Sequence, residues 1–167
     1  DFSDLNAHVP HEIAHQWFYA AVGNDSYKEP WLDEGISEFC EGILFPYYAD
    51  RTWQRTVWKN QFSSKKQFFH WMNDVPQTAR SLPINYDLSA YQKRSNTYSE
   101  CVYEGGKLFL YELWQKMGDD MFFQMLHKYY ETYRFKLATT QDFLAIARSF
   151  RNDAAINEII HRYISKD

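Results

Sequence analysis

The sequence of 167 residues predicts an all-α fold in a single domain. Apolar residues recur at helical spacing along most of the chain, whereas the strict alternation that marks a half-buried strand is nearly absent. The composition is 45% hydrophobic and 19% aromatic, which is enough to fill a core and too apolar for a disordered chain. No repeat, low-complexity tract or linker divides the sequence, so residues 1–167 are treated as one unit.

Two helices are predicted at the start of the chain. The first runs from about Val9 to Val22, because Pro10 is tolerated in a first helical turn and Gly23 is a typical stop. The second starts near Leu32 and weakens at Pro46. The loop between them is short, which favours an antiparallel arrangement of the two helices.

The remainder of the chain is predicted to hold five more helices around one long loop. The aromatic-rich segment from Ala49 to Asn73 reads as one long or broken helix. Prolines, Asn and Ser without periodicity from Val75 to Asn96 predict a loop of the kind that is often functional. Gly118 separates two of the later helices, and Thr140 is the expected N-cap of another. Their ranges are Glu104 to Met117, Asp119 to Tyr133, Gln141 to Arg151 and Ala154 to Ser165.

Charge and composition argue against several classes of partner. A net charge of -4, a pI near 5.9 and scattered basic residues leave no electrostatic footprint for nucleic acid. No apolar run reaches the roughly 18 residues that a membrane span needs, and the first residues do not resemble a signal peptide. Cys40 and Cys101 are too few and too far apart for a disulfide framework or a cysteine-based zinc site. They do not indicate a cellular compartment.

The stretch HEIAH, from His11 to His15, is the strongest chemical signal in the first helix. At about 100° per residue, the two histidines lie about 40° apart and one turn along the axis, so their imidazoles point to the same place. Glu12 falls at the flank of this stripe, where it can reach a water on a metal without being a ligand, as a general base requires. A chance pattern is the alternative, and the motif alone does not decide between the two.

The second helix carries the acidic residues that can supply a third ligand. A catalytic zinc has three protein ligands and one open position, so two histidines leave one ligand to be found. Glu34, Glu38 and Glu41 share one stripe of this helix. Such a stripe is normally a solvated acidic face, but an antiparallel second helix would turn one of these positions toward the histidines.

The words HEIAHQWF and WLDEG, with eighteen residues between His15 and Glu34, resemble the aminopeptidase N family of zinc metallopeptidases, which are gluzincins. These enzymes pair an HExxH helix with a glutamate ligand on the next helix. The resemblance implies that His11, His15 and Glu34 bind zinc and that Glu12 polarises the attacking water. It also implies the fold, namely the helical lobe of a thermolysin-like catalytic domain.

The later segment NTYSECVYEGGKLFLYEL resembles the part of this family in which a tyrosine precedes a Gly-containing turn into a helix. Tyr103 falls on that tyrosine. A phenol with a pKa of about 10 stays protonated at neutral pH and can donate a hydrogen bond to the oxyanion of the tetrahedral intermediate. Tyr98, five residues earlier, is the competing candidate for this role. The resemblance spans about Pro10 to Phe150.

The chain departs from the family at positions that are not ligands. Tyr19 stands where Gly is usual, Asp33 where Asn is usual, and Gly105 where Lys is usual. These changes are expected to alter the shape of the cleft or the substrate preference. Glu41 matches an acidic position of the family where it can hydrogen-bond a ligating imidazole and fix its tautomer, and Glu38 is the second candidate for that contact.

Family members also carry a β-rich half of the catalytic domain upstream of the HExxH helix. That half contains a Gly-x-Met-Glu-Asn type segment whose glutamate holds the free amino terminus of the substrate. Only ten residues precede His11, so the chain is expected to be a fragment of a longer protein whose N-terminal part is missing here. Alone, the fragment is expected to hydrolyse peptides poorly.

Two functions therefore remain open from the sequence. The first is a zinc peptidase that acts on peptide substrates, with aminopeptidase action favoured over endopeptidase action by the resemblance alone. The second is a noncatalytic zinc-binding or peptide-docking module that keeps the shape of the site. Glu12 favours the peptidase, because a docking module has no need of a general base.

Overall fold

The computed structural model describes residues 9–48, 72–91 and 97–165, with side chains described for all of these except 44–48. Its fold is all-α apart from one parallel pair of two-residue strands, as the sequence predicts. The described elements, in order, are α1 at residues 9–14, β1 at Val22–Gly23, a 3-10 helix at Pro30–Leu32, α2 at Glu34–Tyr48, a 3-10 helix at Gln77–Arg80, α3 at Leu88–Tyr91, a π-helix at Ser99–Glu104, α4 at Gly105–Met117, α5 at Asp119–Tyr133, β2 at Lys136–Leu137, α6 at Thr140–Phe150 and α7 at Ala154–Tyr163.

Helix α4 lies at the centre of the core. Its sequence, GGKLFLYELWQKM, is apolar on nearly every side, which is the pattern of a helix surrounded by protein. It contacts α2, α5, α7 and the π-helix, and ten of its thirteen residues are buried. Helix α2, which carries Glu34, and the π-helix, which carries Tyr103, are therefore both packed against the same central helix.

Two glycines let α2 and α4 approach each other closely. A Cβ atom added to Gly106 would lie 2.6 Å from Cα of Gly35, and one added to Gly35 would lie 2.9 Å from Cα of Gly106. No flexible side chain lies between these two backbones, so nothing can move aside to admit a methyl group. The contact fixes the start of α2 against the start of α4.

Trp31 anchors the approach to α2. Its ring is fully buried and lies edge to face with the rings of Phe109 on α4 and Phe143 on α6. Its indole N–H donates a 2.8 Å hydrogen bond to the hydroxyl of Thr140, so the one polar atom of the ring is satisfied. The Glu29 carboxylate accepts a hydrogen bond from the backbone N–H of Thr140, which ties the same segment to α6 a second time.

The predicted first helix is wrong in its length. Helix α1 ends after residue 14 instead of at Val22, and Gly23, the predicted stop, lies in β1. The carbonyls of Ala21 and Gly23 accept hydrogen bonds from the N–H groups of Phe135 and Ala138 beside and within the β1–β2 pair. Between α1 and these bonds, the N–H groups of Ala20 and Val22 bond to carbonyls five residues back instead of four, a departure that local periodicity does not reveal.

The helices of the C-terminal half lie where the periodicity predicts them. Helix α5 matches its predicted range, α4 and α7 differ by one or two residues at one end, and α6 begins and ends one residue earlier than predicted. The N-cap of α6 is Thr139 and not Thr140. The hydroxyl of Thr139 accepts a bond from the N–H of Asp142, whose carboxylate accepts one from the N–H of Thr139. This capping box requires a spacing of three residues, which selects Thr139.

The remaining predictions concern α2 and the segment after it. Helix α2 begins at Glu34 and reaches Tyr48, past Pro46. The helix predicted from Ala49 to Asn73 lies outside the described residues except for 72–73, which are helical. The predicted loop from Val75 contains a short 3-10 helix and α3. None of the helices in the described ranges is both long and apolar enough to cross a membrane.

Replacing Gly106 with alanine is expected to destabilise the fold. The new methyl group would overlap the backbone of Gly35, and overpacking of this kind costs about 1–3 kcal/mol of unfolding free energy. The matched control is Gln115→Ala on the exposed side of α4, which is expected to change stability by less than about 0.5 kcal/mol. Urea denaturation of both variants measures the difference. A Gly106→Ala variant as stable as the wild type would contradict the close contact.

Candidate metal centre

Three side chains meet where α1 lies against the start of α2. Oε2 of Glu34 lies 3.1 Å from Nε2 of His11 and 3.4 Å from Nε2 of His15. The two imidazole rings are one helical turn apart and lie edge to face, with centroids separated by 4.8 Å. His11 is buried, whereas His15 and Glu34 are half-buried. The cluster is therefore partly open to solvent, as a site that admits a substrate must be.

Asp33 holds Glu34 at the first turn of α2. Its Oδ1 accepts a 2.9 Å hydrogen bond from the backbone N–H of Glu34, and its Oδ2 accepts a 2.6 Å bond from the hydroxyl of Ser26. The side chain of Asp33 is buried, and burial raises the pKa of its carboxyl group. The residue that stands in place of the usual Asn thus anchors the turn that carries Glu34.

The second nitrogen of each imidazole has its own partner. Nδ1 of His11 lies 3.3 Å from the Glu38 carboxylate and 3.8 Å from that of Glu41, so Glu38 is the nearer of the two predicted candidates. Nδ1 of His15 lies 3.2 Å from the carbonyl oxygen of Phe18. Carboxylate and carbonyl oxygens are acceptors, so each Nδ1 carries a hydrogen, and Nε2 is the nitrogen that can present a lone pair to a metal once it has lost its proton.

Two further residues that lie behind the imidazoles, Ser37 and Lys107, were not predicted from the sequence. The Ser37 hydroxyl lies 3.0 Å from Nδ1 of His15. The Lys107 ammonium is buried and lies 2.6 Å from the Glu104 carboxylate and 3.7 Å from that of Glu38. The spacing of Glu104 and Lys107, three residues apart on one helix, was the signal that could have revealed this pair. Lys107 balances part of the negative charge behind His11.

The charges of the cluster shift the pKa values of its members strongly. Burial alone would lower the pKa of His11, but hydrogen bonds to Glu34 and Glu38 outweigh it and raise that pKa to about 10. Burial opposes ionisation of Glu34, yet its hydrogen bonds with the two imidazoles lower its pKa to about 2. Burial and the neighbouring charge of Glu38 raise the pKa of Glu41 to about 8. Perturbed groups gathered in one cleft are typical of functional sites.

The donor atoms of His11, His15 and Glu34 fit a zinc ion. These atoms lie within 4.8 Å of one another. Tetrahedral zinc with bonds of about 2.0–2.1 Å places neighbouring ligand atoms about 3.3 Å apart. The separations of 3.1 and 3.4 Å between Glu34 and the two imidazoles are close to that value. Two imidazoles and one carboxylate form the ligand set of a catalytic zinc with an open fourth position.

A second group, formed by His11, Glu38 and Glu41, also gathers donor atoms within 4.8 Å. It uses the Nδ1 side of His11 and lies beside the Lys107 ammonium. A fixed positive charge so close to Glu38 opposes the binding of a cation there. The group formed with His15 and Glu34 is therefore the better metal site.

The π-helix brings Tyr98 and Tyr103 together at the edge of the cluster. In an α-helix, residues five apart point about 140° away from each other, whereas the i to i+5 repeat of a π-helix sets them on one side. The ring centroids of the two tyrosines are 5.7 Å apart, and the ring of Tyr103 stacks on that of His11 at the same distance. The structure thus places the predicted tyrosine beside a predicted ligand.

The Glu34 carboxylate lies close enough to Tyr103 for its negative charge to act on the phenol. Burial, reinforced by this neighbouring carboxylate, raises the pKa of Tyr103 above its ordinary value. Burial raises the pKa of Tyr98 to about 12. Both phenols are therefore protonated at neutral pH and remain hydrogen-bond donors.

Glu12, Gly105 and Tyr19 complete the set of residues singled out in the sequence. Glu12 follows His11 on α1, and its side chain is exposed to solvent. Gly105 contacts the segment before it, because a Cβ there would lie 2.6 Å from the carbonyl oxygen of Ala79. This contact explains why no side chain occupies that position in this chain. Tyr19 has a backbone φ of 132°.

The profile of the Peptidase family M1 domain matches residues 2–163, and the chain belongs to that family. Among curated relatives, Aminopeptidase RNPEPL1 from Homo sapiens is 30% identical over 145 residues, which cover 85% of this chain and 19% of that protein. Leucine aminopeptidase 2-1 from Meyerozyma guilliermondii is 26% identical over 150 residues, which cover 87% of this chain and 23% of that protein. Aminopeptidase N from Streptomyces lividans is 23% identical over 138 residues, which cover 83% of this chain and 16% of that protein.

Solved structures of an M1 zinc metallopeptidase from Deinococcus radiodurans share the fold. The complex of a variant with a Tyr-Ser-Ala substrate aligns with a TM-score of 0.67 at 19% identity, over 95% of this chain and 33% of that chain. Another structure of that metallopeptidase aligns with a TM-score of 0.64 at 21% identity, over 92% of this chain and 32% of that chain. The chain thus spans about a fifth of the curated relatives and about a third of the structural ones. The predicted family and fold class are confirmed.

Zinc binding by the metal-free protein is expected to release protons. With a pKa of about 10, His11 is protonated at pH 7.5 in the absence of metal, and an imidazole must lose that proton to become a ligand. We expect about one proton or more to leave per zinc at pH 7.5, and zinc affinity to rise with pH toward 10 as the competing proton is lost.

Titration calorimetry in two buffers of different ionisation enthalpy measures this proton release. His127→Ala, on the exposed side of α5, is the control and should leave the release unchanged. A binding enthalpy that is the same in both buffers would show that no proton leaves and that His11 is not the competing site.

Proposed function

We propose that this chain is the helical lobe of a zinc-dependent peptidase of aminopeptidase type, with His11, His15 and Glu34 as the zinc ligands. One observation carries the proposal: both Nε2 atoms converge on Oε2 of Glu34 while each Nδ1 is held by an acceptor behind it. Membership of peptidase family M1 supports zinc, and the aminopeptidase names of the relatives support the type of cleavage.

Glu12 is the general base in this proposal. Zinc at the three ligands supplies Lewis acidity, which polarises the carbonyl of the peptide bond and makes water a stronger nucleophile at neutral pH. Glu12 is next in sequence to a ligand, and its exposed carboxylate is accessible to a water in the cleft. It accepts a proton from the attacking water and returns a proton to the leaving amine.

Tyr103 stabilises the oxyanion in this proposal. Its ring stacks on that of His11, and its hydroxyl is a protonated donor near the Glu34 carboxylate. A donor held at this edge of the site can turn to the oxygen that gains negative charge when the carbonyl is attacked. Tyr98 supports the ring of Tyr103 from the same face of the π-helix.

The partners that we propose are a peptide substrate and the rest of a longer protein. The chain corresponds to about a third of the metallopeptidase chains whose fold it shares. Among the described residues, the proposed ligands, Glu12 and Tyr103 all lie on helical elements, and the proposed partner region supplies the opposite wall of the cleft. Correct positioning supplies a large part of an enzyme's rate, so this lobe alone should be a weak catalyst.

Glu12→Gln is expected to abolish most of the turnover while zinc content stays the same. The amide keeps the size of the side chain but cannot accept a proton, and general acid–base catalysis is worth about 100- to 10,000-fold in rate. The variant should be assayed on aminoacyl reporter substrates in the full-length protein that contains this lobe. Glu131→Gln on the exposed side of α5 is the control. Full turnover by the Glu12 variant at equal zinc content would favour a noncatalytic docking module or another base.

Tyr103→Phe is expected to lower kcat about 100- to 1,000-fold with little change in KM, because a lost oxyanion donor acts on the transition state alone. Tyr98→Phe is the matched variant, since it removes a hydroxyl from the neighbouring phenol at the residue just before the π-helix. Its kcat should fall much less. Steady-state kinetics at equal zinc content compares the two. A larger loss in the Tyr98 variant would transfer the oxyanion role to Tyr98.

A further inference from the structure

Tyr19 occupies a backbone conformation that suits glycine. Its φ of 132° lies in the region that side chains with a Cβ atom rarely adopt. Among the described residues only Phe135, with φ 63°, shares a positive φ without being glycine. Backbone strain of this kind persists where the surrounding structure imposes it, and it is concentrated at functional sites.

The surrounding hydrogen bonds impose this conformation on Tyr19. Its N–H donates a 2.9 Å bond to the carbonyl of Val22, and Val22 in turn donates a 2.8 Å bond to Trp17. Val22 lies in β1, which pairs with β2. The turn after His15 is therefore fixed on both sides, and glycine would fill position 19 without strain. A tyrosine there needs a compensating use of its side chain.

The ring of Tyr19 lies beside the candidate metal centre and faces solvent. It meets the imidazole of His15 edge to face, with centroids 6.1 Å apart, and 55% of its surface is exposed. Burial in the core does not stabilise this aromatic side chain, because more than half of its surface is exposed to water. Its closest described ring neighbour is a proposed zinc ligand. The ring is thus available to a molecule that enters the site from the His15 side.

We propose that Tyr19 determines specificity in the reaction proposed above, on which this inference rests. Its exposed ring forms an aromatic wall next to His15, and peptides with an aromatic or large apolar side chain beside the hydrolysed bond pack against it. An aromatic pair adds affinity beyond simple burial, whereas a small side chain gains nothing from the wall. The strain at position 19 is retained because the ring is used.

Three substitutions separate the ring from the strain. Tyr19→Phe keeps the ring and the strain, Tyr19→Ala keeps the strain and removes the ring, and Tyr19→Gly removes both. The probes are L-phenylalanine hydroxamate and L-alanine hydroxamate, whose hydroxamate groups chelate zinc and whose side chains differ in size. Titration calorimetry on the zinc-loaded chain gives the ratio of their affinities. Thermal unfolding of the metal-free variants gives the effect of the strain.

The wild type and Tyr19→Phe are expected to bind L-phenylalanine hydroxamate more tightly than L-alanine hydroxamate. The ratio of the two affinities should fall by about 2- to 10-fold in both Tyr19→Ala and Tyr19→Gly, the range for the loss of one aromatic pair. Tyr19→Gly should also melt at a higher temperature than Tyr19→Ala, because only glycine relieves the strain. An unchanged ratio in the Ala and Gly variants, or a Phe variant that behaves like Ala, would overturn the proposal.

The same titrations keep this inference apart from the proposed function. If the wild-type chain binds neither zinc nor the hydroxamates, the metal site itself is wrong. If it binds both, and the Ala and Gly variants keep the wild-type zinc content and the wild-type ratio, only the role of Tyr19 is wrong. Zinc content is read by elemental analysis of each variant before titration.

Discussion

The backbones of α2 and α4 touch at Gly35 and Gly106, and the geometry of the candidate site depends on that contact. Glu34 precedes the first glycine, and Lys107 follows the second. The π-helix that carries Tyr103 leads directly into α4. A side chain at either glycine would push the two helices apart and move the Glu34 carboxylate away from the Tyr103 phenol. Residues with no chemistry of their own thus set the distances between those that have it.

The same contact concentrates charge in a small volume. The carboxylates of Glu34, Glu38 and Glu41 all lie within reach of His11, and burial makes their mutual repulsion costly. In the metal-free protein, the Lys107 ammonium and the protonated imidazole of His11 offset that repulsion. A divalent ion can replace the proton on His11 while Lys107 remains in place. The pKa shifts and the metal-binding geometry are therefore two consequences of one arrangement.

The meeting of His11 and His15 with the acidic stripe of α2 was predictable from local rules, whereas the choice of Glu34 among its three glutamates came from the resemblance to the aminopeptidase N family. The spacing within HEIAH is one helical turn, and one short connection carries the chain from His15 to Glu34. The C-terminal helices were predictable for the same reason, since their periodicity and caps are local. The early end of α1 was not, because several N–H groups after residue 14 bond to carbonyls three or five residues back, and periodicity does not reveal that change. The i to i+5 bonding of the π-helix also has no compositional signature, so the side-by-side placement of two tyrosines emerged only in the structure.

The position of the metal is best tested by anomalous diffraction from crystals of the zinc-loaded protein, measured on either side of the zinc absorption edge. We predict one strong difference peak between the Nε2 atoms of His11 and His15 and the carboxylate of Glu34. A peak on the other side of His11, between its Nδ1 atom and the carboxylates of Glu38 and Glu41, would contradict this assignment. So would the absence of any peak at this cluster in crystals grown with saturating zinc.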